Sequence, residues 1–132
     1  MTARRPFTIT GIDRSDYMAK DPARAIAFYR DVLGLELQSL APDESGGEFE
    51  LADGSTFGLW VGSDDVMPFQ PSNGVLFAVD DLEAAVSALE ARGISVITRL
   101  ETPVCFMALI DDSEGNVVTL HKRKVAASRP EA

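Results

Sequence analysis

A segment that predicts one helix occurs twice in this chain, and the repeat restricts the possible folds more than any other feature. The first copy begins at Asp21 and Pro22 and ends at Gly34, and the second begins at Asp81 and ends at Gly93. A carboxylate at the N-cap and a glycine after the last turn commonly bound a helix. The sequence therefore predicts two modules of similar design.

Apolar residues recur in both predicted helices at the spacing of a single helical face, i, i+3, i+4 and i+7. The stripe of the first helix is Ala25, Phe28, Tyr29 and Val32. The stripe of the second helix, which Asp80 or Asp81 caps, is Leu82, Ala85, Val86 and Leu89. We expect each helix to pack this face against a β-sheet.

Around the helices the apolar pattern changes to the period of two that is typical of β-strands. One strand is predicted before each helix, at residues 8–19 and 75–79. Three strands are predicted after each helix, at residues 35–40, 48–51 and 56–61, and at 94–99, 104–110 and 117–122. Turns are predicted at residues 45–47, 53–54 and 114–116. Each module is thus a strand, a helix and three further strands.

We interpret residues 1–132 as a single domain made of these two modules. Module one covers about residues 7–62 and module two about residues 74–123. Residues 63–73, which contain two prolines, form the predicted linker, and residues 124–132 form a predicted flexible tail.

Charge and composition exclude several kinds of partner. Twelve Lys and Arg against 21 Asp and Glu give a net charge of -9, which repels a phosphate backbone. No apolar run approaches the ~20 residues of a membrane-spanning helix. With one cysteine and no segment like a secretory leader, we expect a protein of the cytoplasm without nucleic acid or membrane partners.

Three motifs and the repeated module resemble those of one known group of proteins. The motifs are A-F-Y-R-D-V-L-G at residues 27–34, V-D-D-L-E-A-A at 79–85 and D-S-E-G-N at 112–116. They are similar to the vicinal oxygen chelate superfamily, which includes glyoxalase I, bleomycin resistance proteins, fosfomycin resistance transferases and ring-cleaving dioxygenases. The resemblance covers about residues 7–123. It implies an α+β fold in which two βαβββ modules form curved mixed sheets around a cavity, but no single activity.

The resemblance also implies where a metal would bind, with ligands from the first and the last strand of each module. The family's spacing puts these positions at Arg14, Gly58, Gly74 and Thr119. Divalent ions need imidazole or carboxylate ligands, and none of these residues supplies one. We therefore predict no cofactor. A divalent metal in a different site, built from Asp16, Glu48, Glu50 or His121, is the alternative.

Side chains two residues apart on a strand share a face, which indicates what lines the expected cavity. The predicted ligand-binding residues are Arg14, Asp16, Met18, Gly58, Trp60, Gly74, Leu76, Thr119 and His121. Val75, Phe77 and Val79 then face the second helix. Asp16 and His121 are the candidates for catalysis.

These residues also have purely structural interpretations. Arg14 and Asp16 can neutralise each other at a strand surface, and Trp60 can be a packing residue instead of a platform for a flat ligand. His121 can lie at a solvated strand end. Cys105, in an apolar strand, is interpreted as an inert core residue.

Two classes of function remain. The first is a metal-independent small-molecule-binding protein that sequesters an aromatic or cationic compound, as the resemblance to the bleomycin resistance branch implies. The alternative is a glyoxalase-like lyase, an isomerase or a dioxygenase-like enzyme with a non-standard metal site or a metal-free one. Since one module makes half a barrel, modules must pair within a chain or between chains, and we expect a homodimer.

Overall fold

The computed structural model describes residues 6–125, which form two four-stranded sheets with a helix in each module. Module one contains β1 (Ser15–Ala19), α1 (Pro22–Ala27), β2 (Glu36–Leu40), β3 (Gly46–Glu50) and β4 (Thr56–Val61). Module two contains β5 (Leu76–Ala78), α2 (Leu82–Ala91), β6 (Val96–Glu101), β7 (Cys105–Asp111) and β8 (Val117–Arg123). The α+β fold with two βαβββ modules is confirmed.

The two sheets have the same topology, with strand orders β1-β4-β3-β2 and β5-β8-β7-β6. In each, the first strand is parallel to the last strand and the other pairs are antiparallel. Asp16 lies opposite Gly58 as Leu76 lies opposite Thr119, so these residues occupy equivalent positions in the two modules. Both sheets also shift register once between their second and third strands. The duplication therefore extends to the register of the sheets.

The core lies on the helix-bearing sides of the sheets and is continuous between the modules. Tyr29, Phe49 and Phe57 of module one are buried with Phe77 of module two. The ring centroids of Phe57 and Phe77 are 5.1 Å apart in an edge-on contact. The opposite face of each sheet is not part of this core, and we call these two surfaces the open faces.

Helix α1 begins as predicted, and Gly34, with a φ of 75°, follows its end as predicted, but its last turn is wider than that of an α-helix. Asp21 accepts a hydrogen bond from the Arg24 amide, and the helix continues after Ala27 as a π-helical turn at Phe28–Val32. Ile26 is buried although the predicted stripe omitted it, and Phe28 and Val32 are partly buried against the core.

Helix α2 follows the prediction more closely. Asp81, and not Asp80, caps it by accepting a hydrogen bond from the Ala84 amide at 3.0 Å. Leu82, Val86 and Leu89 are buried. Gly93 has a φ of 83°, the left-handed conformation that glycine adopts readily after a helix.

The predicted first strand was wrong over residues 8–14. Phe7, Ile9 and Ile12 are between 71% and 87% exposed, and pairing with β4 begins only where Ser15 lies opposite Phe57. An alternating pattern forms a strand only where another strand is available to pair with it. The segment before Ser15 has no such partner among the described residues.

The predicted strand at residues 75–79 is also shorter than expected, and Gly74 lies outside it. The Tyr17 hydroxyl accepts a hydrogen bond from the Val75 amide at 2.9 Å and donates one to the Val117 carbonyl oxygen at 2.8 Å. The hydroxyl therefore lies between the start of β5 and the start of β8, and the hydrogen-bonded pairing of these two strands is shorter as a result.

The predicted turn at residues 45–47 was wrong because β3 already starts at Gly46. A side chain there would collide with the carbonyl oxygen of Leu59 on the neighbouring strand. This glycine therefore permits close strand pairing. The other strands differ from the prediction by at most two residues at either end.

The remaining segments are short. The predicted linker contains one isolated bridge, between Ser63 and Met67. Of the predicted tail, residues 126–132 lie outside the described part of the chain. Within residues 6–125, neither helix has the length and apolar character that a bilayer crossing requires.

Candidate functional site

The open face of the first sheet brings together five of the predicted site residues. Asp16 lies opposite Gly58, and Met18 lies opposite Trp60, because β1 and β4 pair in parallel. Arg14 immediately precedes β1 and reaches the same face, where its guanidinium contacts Asp16. Strand alternation thus predicted the shared face of Asp16, Met18, Gly58 and Trp60 correctly, whereas Arg14 reaches this face from outside β1.

The centre of this face is an ion cluster made of Arg14, Asp16 and Glu48. Arg14 Nε lies 3.0 Å from Asp16 Oδ1, and Arg14 Nη1 donates a hydrogen bond to Glu48 Oε1. Asp16 Oδ1 is buried, and among residues 6–125 it has no hydrogen bond of good geometry, so its contact with Arg14 is an ion pair. Two carboxylates around one guanidinium leave a net charge of minus one. Because the three side chains are partly exposed, the cluster contributes little to stability.

Gly58 provides the space for this cluster. A β-carbon at position 58 would overlap Asp16 Oδ1 and would lie 3.7 Å from Arg14 Cζ. Gly58 occupies the equivalent position to Thr119 in the second sheet. The position without a side chain is therefore the one where charged groups meet.

A cavity of about 200 Å³ lies beside the cluster. Arg14, Glu48, Gly46 and Trp60 contribute to its walls. Trp60 is partly exposed, so it is not a core residue. Pockets for drug-sized ligands have volumes of roughly 300–1,000 Å³. This cavity alone holds only part of such a ligand.

The second sheet presents a different surface. Leu76 lies opposite Thr119 and Ala78 opposite His121, and Met107 and Leu109 extend the same face. Leu76 is 50% exposed and Thr119 is 5% exposed. This open face is mainly apolar, with His121 at one side.

The predicted site is thus divided between two sheets. Asp16 and His121, the candidates for catalysis, lie on different sheets, and Gly74 lies in the segment before β5. An added side chain at Gly74 would have no atom within 4 Å. Cys105 is buried, and its sulfur lies 3.1 Å from Thr102 Oγ1.

The family's metal positions do not fit a divalent ion in this chain. Arg14 brings a permanent positive charge against Asp16, and Gly58, Gly74 and Thr119 offer neither imidazole nor carboxylate. Over residues 6–125, no three His, Cys, Asp or Glu side chains converge as a metal site would require. The guanidinium of Arg14 takes the place of a cation between Asp16 and Glu48.

Glu48 was not predicted as part of the ligand site, although the sequence contained a signal for it. A hairpin centred on the Asp53-Gly54 turn places Glu48 opposite Gly58, as the register confirms. Alternation along one strand shows which residues share a face, but not which residue of the neighbouring strand lies opposite. The cross-strand register is what identifies Glu48 as the second partner of Arg14.

The D-S-E-G-N motif attaches module two to the strand that carries the cluster. Glu114, whose side chain is fully buried, accepts hydrogen bonds from the Lys20 amide at 2.8 Å and the Asp21 amide at 2.7 Å. It also accepts one from Arg24 Nε at 2.7 Å. Burial raises the pKa of Glu114, but hydrogen bonds from Arg24, Asp21 and Ser113 outweigh this and lower it to about 2.

Two neighbours in this motif complete the attachment. Asn116 Nδ2 donates to the Met18 carbonyl oxygen at 2.8 Å, which holds β1 from its outer edge. The buried hydroxyl of Tyr29 donates to Asp112 Oδ2 at 2.7 Å. Burial, followed by the charge of Asp112, raises the pKa of Tyr29 far above its usual value. These contacts fix Asp16 and Met18 on the open face.

Comparisons with known proteins agree with this architecture. The family model described as the Glyoxalase/Bleomycin resistance protein/Dioxygenase superfamily matches residues 11–120. The chain therefore belongs to this superfamily. None of the curated proteins matches the sequence.

Several solved structures share the fold. A lactoylglutathione lyase from Agrobacterium tumefaciens is 23% identical, with a TM-score of 0.72 over 89% of this chain and 96% of its own. The antibiotic-binding protein TnmS3 from a Streptomyces strain is 24% identical, with a TM-score of 0.75 over 89% of this chain and 99% of its own. A glyoxalase/dioxygenase from Nostoc punctiforme is 14% identical, with a TM-score of 0.72 over 95% and 99%. At these identities the likeness establishes the fold and not the activity.

Proposed function

We propose that this chain is a metal-independent small-molecule-binding protein that sequesters an aromatic or cationic compound. The observation that supports this is the Arg14, Asp16 and Glu48 cluster beside Trp60. The cluster carries an excess negative charge, which attracts a cationic group. The indole ring of Trp60 can stack on a flat ring or contact a cation through its face.

A binding role has a parallel within the fold. TnmS3, whose structure is similar to this one, is named as an antibiotic-binding protein. The lactoylglutathione lyase of the same fold shows that chemistry is possible on it as well. Here the metal positions carry no suitable ligands, and this favours binding over a metal-dependent reaction.

The proposed binding unit is a homodimer. The first open face is charged and aromatic, and the second is apolar, with Leu76 50% and Leu100 47% exposed. If the second open face of one copy covers the first open face of another, the shallow cavity at Trp60 becomes a closed cleft with mixed walls. Sedimentation of the pure protein would then show a dimer. A location in the cytoplasm, without nucleic acid or membrane partners, remains an expectation from composition.

The charge of the cluster can be tested with the intrinsic fluorescence of Trp60, the single tryptophan of the chain. We expect flat aromatic cations to quench it in a saturable manner and neutral analogues of equal size to bind more weakly. Glu48→Gln should weaken binding of the cations about tenfold, since it removes one charge from the cluster. The exposed Glu90 on α2 provides the control, and Glu90→Gln should change nothing.

Equal binding of cations by the wild type and Glu48→Gln would exclude a role for the cluster. The metal-independent character has a separate test. Equilibrium dialysis against nickel, manganese, iron and zinc should show no tight stoichiometric uptake. Such uptake would favour the enzymatic alternative with a non-standard metal site.

A further inference from the structure

A second cavity, of about 360 Å³, lies between β5 and the turn that joins β3 to β4. We call it the β5 groove, and its walls include Leu51, Asp53, Ser55, Val75, Phe77 and Ala78. It shares no wall residue with the cavity at Trp60. Its size falls in the range of small-molecule pockets.

The turn on one side of the β5 groove has an equivalent in module two. The Leu51 amide donates to the Ser55 carbonyl oxygen at 2.9 Å, and the Asp112 amide donates to the Asn116 carbonyl oxygen at 2.9 Å. Gly54 and Gly115 have φ values of 85° and 89°. The two turns therefore share one backbone conformation. Asp53 corresponds to Glu114, and Ser55 corresponds to Asn116.

In module two, the protein itself fills the equivalent space. Asn116 Nδ2 donates to the Met18 carbonyl oxygen on the edge of β1, and Asn116 Oδ1 accepts from the Ser72 amide at 2.8 Å. Glu114 covers the next part of that edge by accepting hydrogen bonds from two amides. Asn116 is fully buried as a result.

In module one, the corresponding side chains are shorter. The Ser55 hydroxyl donates to Asp53 Oδ1 at 2.5 Å, and the Ser55 amide donates to the same oxygen at 3.0 Å. Both side chains thus make contacts within their own turn. Ala78, the equivalent of Met18, is exposed, whereas Met18 is 5% exposed. β5 pairs only with β8 in the described part of the chain, so its other edge borders the groove.

We propose that the β5 groove binds a small molecule that carries a primary carboxamide on an apolar ring. The amide occupies the position that the Asn116 side chain occupies in module two. Its NH2 group donates to the Ala78 carbonyl oxygen, the equivalent of the Met18 oxygen that Asn116 contacts. The hydroxyl groups of Ser15 and Thr56, which also line the groove, are available to its oxygen. The ring packs against Leu51, Val75 and Phe77.

Benzamide is a suitable probe, and benzoate is its control because benzoate has the same ring but no N–H donor. In an amide-resolved NMR titration of the full chain, benzamide should shift residues 75–78 and 51–57, and benzoate should not. If benzamide shifts neither segment, or shifts others instead, the proposal is wrong. This mapping uses the wild-type protein and needs no variant to fold.

Two variants at one position test the equivalence of the turns. Ser55→Asn gives module one the side chain that closes the groove in module two, so it should weaken benzamide binding at least about tenfold. Ser55→Ala removes the hydroxyl without filling the space and should preserve binding. Unchanged binding in a folded Ser55→Asn protein would overturn the proposal.

A third variant separates this site from the proposed function. Trp60→Ala should leave benzamide binding unchanged, because Trp60 does not line the β5 groove. Loss of benzamide binding in Trp60→Ala would place the amide in the Trp60 cavity and overturn the groove site. The tests with aromatic cations are independent of this outcome.

Discussion

The turns that precede β4 and β8 have the same backbone conformation, yet their side chains make different contacts within residues 6–125. At the second turn, Glu114 and Asn116 cross to β1 and α1 and are buried. At the first, Asp53 and Ser55 contact each other and remain exposed. Glu114 is one methylene longer than Asp53, and Asn116 is longer than Ser55. A few side chains are therefore enough to fill the space beside β1 and to leave the equivalent space beside β5 as a groove, although the backbone is duplicated.

The difference also gives the two turns different roles, because the second contributes to stability and the first borders a binding groove. The contacts of the second turn hold β1 in place, and with it the charged residues of the first open face. The first turn leaves the edge of β5 and the β5 groove accessible. Three experiments test this difference between the two turns.

The largest effect is expected from Glu114→Ala. It leaves the Arg24 guanidinium and the amides of Lys20 and Asp21 without their buried acceptor, which should lower the free energy of unfolding by about 4 kcal/mol. Urea denaturation measures this. The matched variant Asp53→Ala, at the exposed equivalent position, should lower it by less than about 1 kcal/mol. Equal losses at both positions would contradict the assigned asymmetry.

The pH dependence of stability should reveal the same carboxylate. The folded-state pKa of Glu114 is about 2, against an ordinary value of 4.5. Its contribution is therefore complete above about pH 4.5 and is lost as the pH falls towards 2. Over that range it amounts to about 3 kcal/mol.

The comparison of wild type with Glu114→Gln isolates this group from the other carboxylates. The variant should be less stable at neutral pH, and the difference between the two proteins should narrow as the solution is acidified. Unfolding free energies at a series of pH values measure it. A difference that stays constant from pH 5 to about pH 2 would show that Glu114 is not the titrating group.

A smaller effect is expected from Tyr17→Phe, which removes the hydroxyl between Val75 and Val117. Two partly buried hydrogen bonds are lost, and the free energy of unfolding should fall by about 1.5 kcal/mol. Thermal unfolding measures this. Phe77→Tyr, at the equivalent position, should give no gain, because β1 and β4 already pair as far as Ser15 and Phe57. Stabilisation by Phe77→Tyr would mean that β1 and β4 are held apart at their start, as β5 and β8 are.

Much of the fold could be predicted from local patterns. Asp21 and Asp81 marked both helix starts, and the period of two located every strand to within a few residues, apart from the start of the first one. Residues 8–14 do not form the predicted strand, because an alternating pattern does not by itself supply a partner strand. The strand at β5 was shortened by a hydroxyl from the other module, which no local pattern contains.

The site was predictable only along each strand. Alternation correctly placed Asp16 and Met18 with Gly58 and Trp60, and Arg14 joins them through its contacts with Asp16 and Glu48. It did not show that Leu76, Thr119 and His121 form a separate and more apolar face on the second sheet. Glu48 required the register of the β3 and β4 hairpin.

Local sequence patterns are sufficient to specify the two βαβββ modules and the helix caps, and the residue types show that the family's metal positions carry no imidazole or carboxylate. These properties depend on neighbouring residues and on the kind of residue at each position. Long-range packing, in contrast, places Arg14 between two carboxylates and brings Glu114 and Asn116 of the second turn into contact with module one. Such contacts join residues as much as 98 positions apart, as Met18 and Asn116 are. Whether a side chain reaches its partner over that separation depends on its length and on the packing of both modules, which no local pattern records.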